Sequence, residues 1–203
     1  MTAIIDYRAG NLTSVRNALA AIGAEATVTS DPGVVARADS VVFPGVGAAK
    51  SAMRSLSDLG LVDAVREAAA SKPFLGICLG MQILFSSTEE DGGVDLLGIL
   101  PGRVRRFPAV PGCKVPEMGW NQVCGSDPRG VLATMDEFYF VHSYYVEMNP
   151  HAVGRTEYAG VEFASAVRCG DLFATQFHPE KSGAAGLALL RAFLDGAKGG
   201  RGC

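Results

Sequence analysis

The segment Phe74-Leu75-Gly76-Ile77-Cys78-Leu79-Gly80-Met81-Gln82 decides the fold of this chain. The apolar run 73–77 predicts a buried strand, and the residues from Met81 to Ser86 predict a helix directly after it. A glycine lies two positions before Cys78 and another two positions after it. This G-x-C-x-G pattern between a strand and a helix is typical of the elbow that presents a nucleophile in α/β hydrolases.

An elbow would give Cys78 a specific chemistry. The tight turn pushes the sulfur out of the sheet, and the free N–H groups at the start of the helix favour a thiolate. The N–H of Leu79 would then point at a developing oxyanion. A buried structural cysteine in a glycine-rich turn explains the motif alone about as well.

The surrounding elements alternate in the first half of the chain and become shorter in the second. Strands are predicted at 2–7, 40–43 and 73–77, and helices at 11–22, 61–71 and 81–86. The second half predicts strands at 104–107, 122–124, 138–147 and 161–177, with a hairpin turn at Gly170-Asp171, and a last helix at 183–194 with Ser182 as N-cap. We therefore predict one three-layer α/β domain, residues 1–196, with a mixed, mostly parallel sheet and a flexible tail at 197–203.

Composition excludes several classes of protein. The chain has 203 residues, 48% of them hydrophobic, and a formal net charge of -3, which suits one folded domain and offers no basic cluster for nucleic acid or acidic lipid. No apolar run approaches the roughly 20 residues that cross a bilayer, and the early charges do not fit a signal peptide. Five cysteines without a C-x-x-C pair predict neither a metal site nor a disulfide framework, and they favour a reducing cytoplasm.

Three histidines could serve Cys78 as the base. His178 follows an apolar strand, and Glu180 lies two residues on, where an extended chain projects both side chains to one side. Glu180 could therefore fix the tautomer of His178, as the acidic member of a triad does. A loop salt bridge is the alternative. His142 lies in an aromatic strand, where a core histidine is the commoner outcome, and His151 follows Asn149-Pro150 in a predicted surface loop.

Pro44-Gly45-Val46-Gly47 ends another apolar strand. Ligands in open α/β sheets bind at the carboxyl ends of strands, so the backbone N–H groups of this segment could reach an oxyanion. An ordinary turn is the alternative, and the spacing of a phosphate-binding loop is absent.

In this order, P-G-V-G, G-I-C-L-G-M-Q and F-H-P-E resemble the class I, or triad, glutamine amidotransferases. Within that family the chain is most similar to the glutaminase subunits of imidazole glycerol phosphate synthases. The segments that carry this closer resemblance are 10–15, 92–98, 118–121, 138–144 and 176–186.

The resemblance implies roles for individual residues. Cys78 attacks the carboxamide of glutamine, His178 moves the protons, and Glu180 orients His178. Leu79 and an N–H of Val46 or Gly47 form the oxyanion hole, whereas Gln82, Ser143 and Tyr144 line the glutamine pocket.

The resemblance also implies a partner. Ammonia passes to a separate (β/α)₈ cyclase subunit, which makes imidazole glycerol phosphate and aminoimidazole carboxamide ribonucleotide, and neither a metal nor an organic cofactor is needed. Asn11, Trp120 and Lys181 match positions near the partner interface. The chain departs from the family at Glu117, where histidine is usual, and this puts the details of docking in doubt rather than the triad.

Three rival functions remain at this stage. The first is a class I glutaminase that feeds pyridoxal phosphate or anthranilate synthesis, and the segments 138–144 and 176–186 argue against it. The second is a stand-alone cysteine hydrolase of γ-glutamyl substrates, which would bind no cyclase. The third is a catalytically inactive binding or regulatory subunit, which the intact Cys78, His178 and Glu180 argue against.

Overall fold

The computed structural model describes residues 1–132 and 135–199, with side chains described to residue 196. The strands are β1 (Thr2–Ile5), β2 (Ala26–Thr29), β3 (Ser40–Gly45), β4 (Phe74–Cys78), β5 (Ser87–Thr88), β6 (Val94–Asp95), β7 (Arg103–Arg106), β8 (Glu117–Gly125), β9 (Met135–His142), β10 (Tyr144–Glu147), β11 (Ala152–Tyr158), β12 (Val161–Cys169) and β13 (Leu172–Thr175). The helices are α1 (Leu12–Ala21), α2 (Pro32–Arg37), α3 (Ala49–Asp58), α4 (Leu61–Ser71), α5 (Leu79–Gln82) and α6 (Gly183–Gly199). Two 3₁₀ turns occupy Glu90–Gly92 and Pro179–Lys181.

The strands form one mixed sheet. Its order is β2-β1-β3-β4-β13-β12-β10-β7-β5-β6, and β12 also pairs with β11, from which β8 and β9 continue. The five strands from β2 to β13 are parallel to one another, and β12 joins them through an antiparallel hairpin. The predicted single α/β domain with a mixed sheet is therefore confirmed, and its parallel part forms the centre.

The parallel strands β1, β3, β4 and β13 are buried on both faces because helices cover each side, whereas the edge strand β2 is partly exposed. Alternate residues of each strand point to opposite faces, so Ile5 and Phe43 pack on one side, whereas Ile4 and Val42 pack on the other. The first side is covered by α2, α3 and α4, and the second by α1 and α6. Three layers result, as the alternating pattern predicts.

Several predicted elements need correction. The strand predicted at 138–147 is two strands, because the chain changes partners at Ser143: β9 pairs with β8, whereas β10 pairs with β7 and β12. The helix predicted at 81–86 begins earlier, at Leu79, and its regular part ends at Gln82. The hairpin turn at Gly170-Asp171 is confirmed.

The end of the chain differs in detail from its predicted form. Helix α6 continues through Gly199, three residues into the segment assigned to the tail, and 200–203 lie outside the described residues. Ser182 precedes α6 as predicted for an N-cap, and its carbonyl accepts the N–H of Gly186. Its hydroxyl instead donates to the His178 carbonyl and accepts the N–H of Tyr139, which ties the end of β13 to β9.

The topology brings the candidate residues to one edge. Because β3, β4 and β13 are parallel neighbours, their carboxyl ends lie side by side. Gly45 pairs with Cys78, and Thr175 pairs with Ile77, so His178 follows within three residues of the same edge.

Candidate active site

Cys78 occupies a strained turn. Its backbone has φ 54° and ψ -111°, a region that residues with a side chain rarely adopt, and strain of this kind clusters at functional sites. The flanking glycines make the turn feasible, since a Cβ on Gly80 would lie 1.9 Å from the Phe43 carbonyl oxygen. A Cβ on Gly76 would lie 2.9 Å from the carbonyl oxygen of Gly80. The strand–turn–helix elbow expected from the sequence is present, although its helix has only four residues.

His178 and Glu180 form a buried pair beside the elbow. The Nδ1 of His178 lies 2.8 Å from Oε1 of Glu180, and their side chains are 2% and 1% exposed. Burial alone would lower the pKa of His178, but the Cys78 sulfur and the Glu180 carboxylate outweigh it and raise that pKa to about 10. Since Nδ1 faces Glu180, Nε2 is the nitrogen left to exchange a proton with the sulfur or a substrate.

The segment after β3 lies against the elbow from the other side. A Cβ on Gly45 would lie 2.5 Å from the backbone nitrogen of Gly80, so glycine is required for this close approach. Val46 and Gly47 line the same cavity as Cys78, and Gly47 has φ +94°. Leu79 opens helix α5, so its N–H has no acceptor within the helix. Both candidate sources of oxyanion donors therefore border the sulfur.

Tyr7 lies beneath this segment. Its side chain is fully buried, and burial and the neighbouring Cys78 raise its pKa, whereas the backbone N–H of Val46 lowers it. The hydroxyl oxygen of Tyr7 has no aligned hydrogen bond with any described atom.

A cavity of about 390 Å³ opens above Cys78 and is called the pocket below. It is lined by Val46, Gly47, Cys78, Leu79, Gln82, Glu90, Pro116, Val141, His142, Ser143, Tyr144 and His178. The structure therefore brings all predicted substrate-binding residues together with Cys78 and His178. Glu180 stands behind His178 and does not line the pocket.

The amide of Gln82 is already engaged within the protein. Its Nε2 donates to the Tyr144 carbonyl and to Oε1 of Gln176, both at 2.8 Å. Gln176 in turn points its Nε2 at the Cys78 sulfur, 3.7 Å away. The sequence analysis assigned no role to Gln176. The available signal was a glutamine inside the apolar run 172–177, and the structure shows that this glutamine is fully buried. These two amides connect the nucleophile to the opposite side of the pocket.

Glu90 is a second residue that sequence reasoning missed. It is the one carboxylate among the lining residues, and it accepts the N–H of Ala49 at 2.6 Å. Burial raises the pKa of Glu90, and the hydrogen bond from Ala49 acts against that rise. In the sequence it belongs to the acidic run 89–91, which reads equally well as a solvated surface loop.

His142 is buried, as predicted for a core histidine, yet it also lines the pocket. Its Nε2 lies 3.0 Å from Oε2 of Glu117. Glu117 is therefore buried, and it faces the pocket-lining His142. His151 lies in the turn between β10 and β11 and does not line the pocket.

The three candidate interface residues lie outside the pocket. Trp120 is 56% exposed and packs edge-on against Tyr139, with ring centroids 6.3 Å apart. The Nζ of Lys181 lies 5.8 Å from the centre of the same tyrosine ring. Asn11 precedes α1, and its side chain makes no capping hydrogen bond. The structure thus groups Trp120 and Lys181 around Tyr139.

The described part of the chain contains neither a metal-binding cluster nor a membrane-spanning helix. Residues 1–132 and 135–199 contain no group of three or more His, Cys, Asp or Glu side chains placed to hold a metal ion. The same residues include no helix with the length and apolar character needed to span a membrane. Cys78, Cys113, Cys124 and Cys169 are free thiols.

The sequence and the fold were compared with those of known proteins. Residues 3–197 match the family described as glutamine amidotransferase class-I. The imidazole glycerol phosphate synthase subunit HisH of Acinetobacter baylyi is 48% identical over 198 residues, which cover 95% of this chain and 97% of that protein. The subunit of the same name from Methanothermobacter thermautotrophicus is 52% identical over 200 residues, covering 96% and 98%.

A crystal structure of a glutamine amidotransferase aligns with a TM-score of 0.75 at 20% identity, covering 97% of this chain and 98% of that one, and it supports the fold alone. The sequence matches, by contrast, extend over nearly the whole chain and include the elbow, the pocket and the His-Glu pair. The chain belongs to the class I glutamine amidotransferase family and is a glutaminase.

Proposed function

We propose that this chain is the glutaminase subunit of an imidazole glycerol phosphate synthase, with Cys78, His178 and Glu180 as its catalytic triad. The carrying observation is that a buried His178–Glu180 pair borders Cys78 on a strained elbow at the base of the pocket. The roughly 50% identity to the named subunits over some 95% of the chain supports the choice of this synthase.

The geometry suits a thioester mechanism. With His178 protonated, the Cys78 sulfur reacts as a thiolate and forms a bond to the carboxamide carbon of glutamine. His178 gives its proton from Nε2 to the departing nitrogen, the C–N bond breaks, and ammonia leaves. Water then attacks the glutamyl thioester while His178 takes its proton, which releases glutamate and restores the thiolate.

The pocket can also hold the amino-acid end of glutamine. Glu90 offers a carboxylate to the α-ammonium group, and Ser143 and Tyr144 line the same pocket. The Nε2 of Gln82 is used within the protein, so its Oε1 is the atom available to the substrate. Leu79 and the Val46-Gly47 segment border the place where the oxyanion develops.

A (β/α)₈ cyclase subunit is the proposed partner that consumes the ammonia. The outer face of β8 carries Met118 and Trp120, which are 65% and 56% exposed, and exposed apolar side chains of this kind favour a docking surface. Lys181 adds a positive charge close by. We place the pair in the cytoplasm, where free thiols stay reduced.

Complementation with ammonium tests the two-chain scheme. In the complex with the cyclase, Cys78→Ser should abolish glutamine-dependent product formation, and added ammonium salt should restore it because the cyclase site is untouched. Cys169→Ser, at an exposed thiol, is the matched control and should behave as the parent. Failure of rescue while the cyclase is folded and bound would reject the scheme, and failure to bind any cyclase would favour the stand-alone hydrolase.

Labelling tests the nucleophile directly. A diazo-ketone analogue of glutamine should modify Cys78 and leave Cys113, Cys124, Cys169 and Cys203 unmodified, because only Cys78 lies in the pocket among the described cysteines. Peptide mapping by mass spectrometry reads the result. Equal labelling of another cysteine, with hydrolysis surviving Cys78→Ala, would overturn the assignment.

A further inference from the structure

Glu117 and His142 form a second buried pair of a carboxylate and an imidazole, and the mechanism above uses neither. They lie opposite each other in the antiparallel register of β8 and β9. The Oε2 of Glu117 and the Nε2 of His142 are 3.0 Å apart, and the side chains are 4% and 3% exposed.

Aromatic rings surround His142, and one amide contacts Glu117. The ring of His142 lies 5.2, 5.5 and 5.4 Å from those of Phe107, Phe140 and Phe163. Nδ2 of Asn121 donates to Oε1 of Glu117 at 2.8 Å, whereas Oε2 and the Nε2 of His142 form no aligned hydrogen bond with each other or with any other described atom. Removing one member of the pair would leave the other buried polar group without the group that it faces, which is strongly destabilising.

A hydrogen bond to the backbone fixes the ring of His142. Its Nδ1 is 2.8 Å from the Tyr144 carbonyl oxygen, which can only accept, so Nδ1 is the donor. Nε2 is then the ring nitrogen that faces Oε2 of Glu117, at 3.0 Å.

The pair is connected to the nucleophile through the pocket wall, which we define as Val141–Tyr144. The Tyr144 carbonyl accepts from both His142 and Gln82, and Gln82 reaches Cys78 through Gln176. The Val141 carbonyl oxygen lies 4.0 Å from the Cys78 sulfur. The orientation of His142 therefore sets the position of the wall that faces the substrate.

We infer that Glu117–His142 is a positioning pair, which holds the pocket wall in the shape that binds glutamine; this rests on the proposed function. Glu117 points inward, whereas its neighbours Met118 and Trp120 on β8 point outward. The same strand thus carries the positioning carboxylate on one face and the exposed apolar side chains on the other.

Replacing both partners separates positioning from mere stability. A variant with Glu117→Met and His142→Phe fills the space with apolar groups. The amide of Asn121 keeps the Glu157 carbonyl as its acceptor, and the Tyr144 carbonyl keeps Gln82 as its donor, so the variant should unfold near the temperature of the parent. It lacks the Nδ1 donor to Tyr144, so glutamine should bind about tenfold more weakly while kcat changes less than about threefold. Glu117→Gln should bind as the parent does, because its amide can donate to a neutral Nε2.

The measurements use the full chain in complex with the cyclase. KM and kcat come from glutamine hydrolysis, and the dissociation constant comes from calorimetry in a Cys78→Ala background. Glu137→Met, on the exposed edge of β9, is the control and should leave all three unchanged. The double variant makes the test independent of whether either single replacement folds.

Two results would overturn the inference alone. One is parental glutamine affinity in the double variant, which would make the pair purely structural. The other is a Glu117→Gln variant that binds as weakly as the double variant. If the Cys78→Ala parent binds no glutamine at all, the proposed function fails first.

Discussion

Two buried histidines of this chain each face a carboxylate, yet only one of them borders a nucleophile. His178 lies 2.8 Å from Glu180 through Nδ1, whereas His142 lies 3.0 Å from Glu117 through Nε2. The other nitrogen of His178 is free of nitrogen and oxygen partners on the side of Cys78, and the other nitrogen of His142 is bound to the Tyr144 carbonyl.

The difference shows that a histidine–carboxylate pair does not by itself identify a catalytic base. What matters is the second ring nitrogen, which must reach the reacting atoms and be able to give up its proton. In His142 the second ring nitrogen donates its hydrogen to the Tyr144 carbonyl oxygen, which fixes the orientation of the ring. This contrast supports the proposal that His178 transfers protons and that His142 has a positioning role.

The largest expected effect separates the two histidines. His178→Ala should lower kcat for glutamine hydrolysis by about a millionfold, because neither the thiolate nor the leaving ammonia then has a proton partner. His142→Phe should lower kcat by less than about threefold. Steady-state assays of the complex, with the parent at matched concentration, make the comparison.

That contrast can fail in one informative way. If His142→Phe abolished turnover and His178→Ala kept it, His142 would be the base and Glu180 would have another role. Circular dichroism of each variant serves as the control for folding.

A smaller loss is expected when only the orienting carboxylate is changed. Glu180→Gln should lower kcat by about ten thousandfold, since it removes the charge that stabilises the imidazolium but leaves Cys78 and His178 in place. Glu162→Gln, at an exposed ion pair with Arg155, is the matched control and should keep full activity. Turnover lower than that of His178→Ala would contradict an orienting role.

The sequence predicted the centre of this fold well because its pattern there is unambiguous. The strands β3 and β4 are continuous apolar runs ended by glycine-containing turns. Helix α3 was missed although its buried residues Ala49, Ala52 and Leu56 recur at helical spacing, because two of the three are small alanines and most of the other positions are polar. Short strands such as β5 and β6 have two residues each and cannot show a period at all.

Residues of the site could be predicted where a short motif contains them. They could not be predicted where contacts between distant parts of the chain bring them into the site. The elbow and the two-residue spacing made Cys78, His178 and Glu180 candidates, and the resemblance of the three motifs, in their order, to the family implied their roles. Gln176 is joined to Cys78 across 98 positions of sequence, and Glu117 meets His142 only through the register of β8 and β9. Nothing local distinguishes such residues from other polar side chains in strands.

An oxyanion hole needs two N–H donors that point at the same oxygen, so the orientation of these donors affects how active the isolated chain is. Leu79 offers one donor from the elbow, and we expect the second from Val46 or Gly47, which line the same pocket. A missing donor costs about a hundredfold to a thousandfold in rate. Glycines on both sides of Val46 let its peptide plane rotate at low steric cost.

We therefore expect the isolated chain to be a poor glutaminase and the partner to activate it by a factor of this size. Glutamine hydrolysis is measured for the chain alone, with the cyclase, and with the cyclase and its nucleotide substrate. A bias of a few kcal/mol from docking suffices to shift such an equilibrium. Equal rates in all three, with complex formation confirmed by gel filtration, would show that the hole is already complete.

The smallest expected effect concerns a third buried carboxylate, which faces arginine instead of histidine. Arg168 contacts both oxygens of Asp127, and Oδ2 also accepts the N–H of Val131. Burial would raise the pKa of Asp127, but these hydrogen bonds and the charge of Arg168 together lower it. Since the pKa of Asp127 is lower in the folded chain than in the unfolded chain, the pair stabilises the fold above about pH 4. This contribution is lost as the pH falls through the pKa of the folded chain.

Asp127→Asn should therefore cost about 3 kcal/mol of unfolding free energy at pH 7 and progressively less towards pH 3. Asp171→Asn breaks the exposed pair with Arg129 and should cost no more than about 1 kcal/mol at pH 7. Urea unfolding at pH 7, 5 and 3 measures both variants against the parent, and a loss for Asp127→Asn that stays constant with pH would show that the charge of Asp127 is not what stabilises the fold. Both variants should keep parental glutaminase activity, because neither carboxylate approaches the pocket.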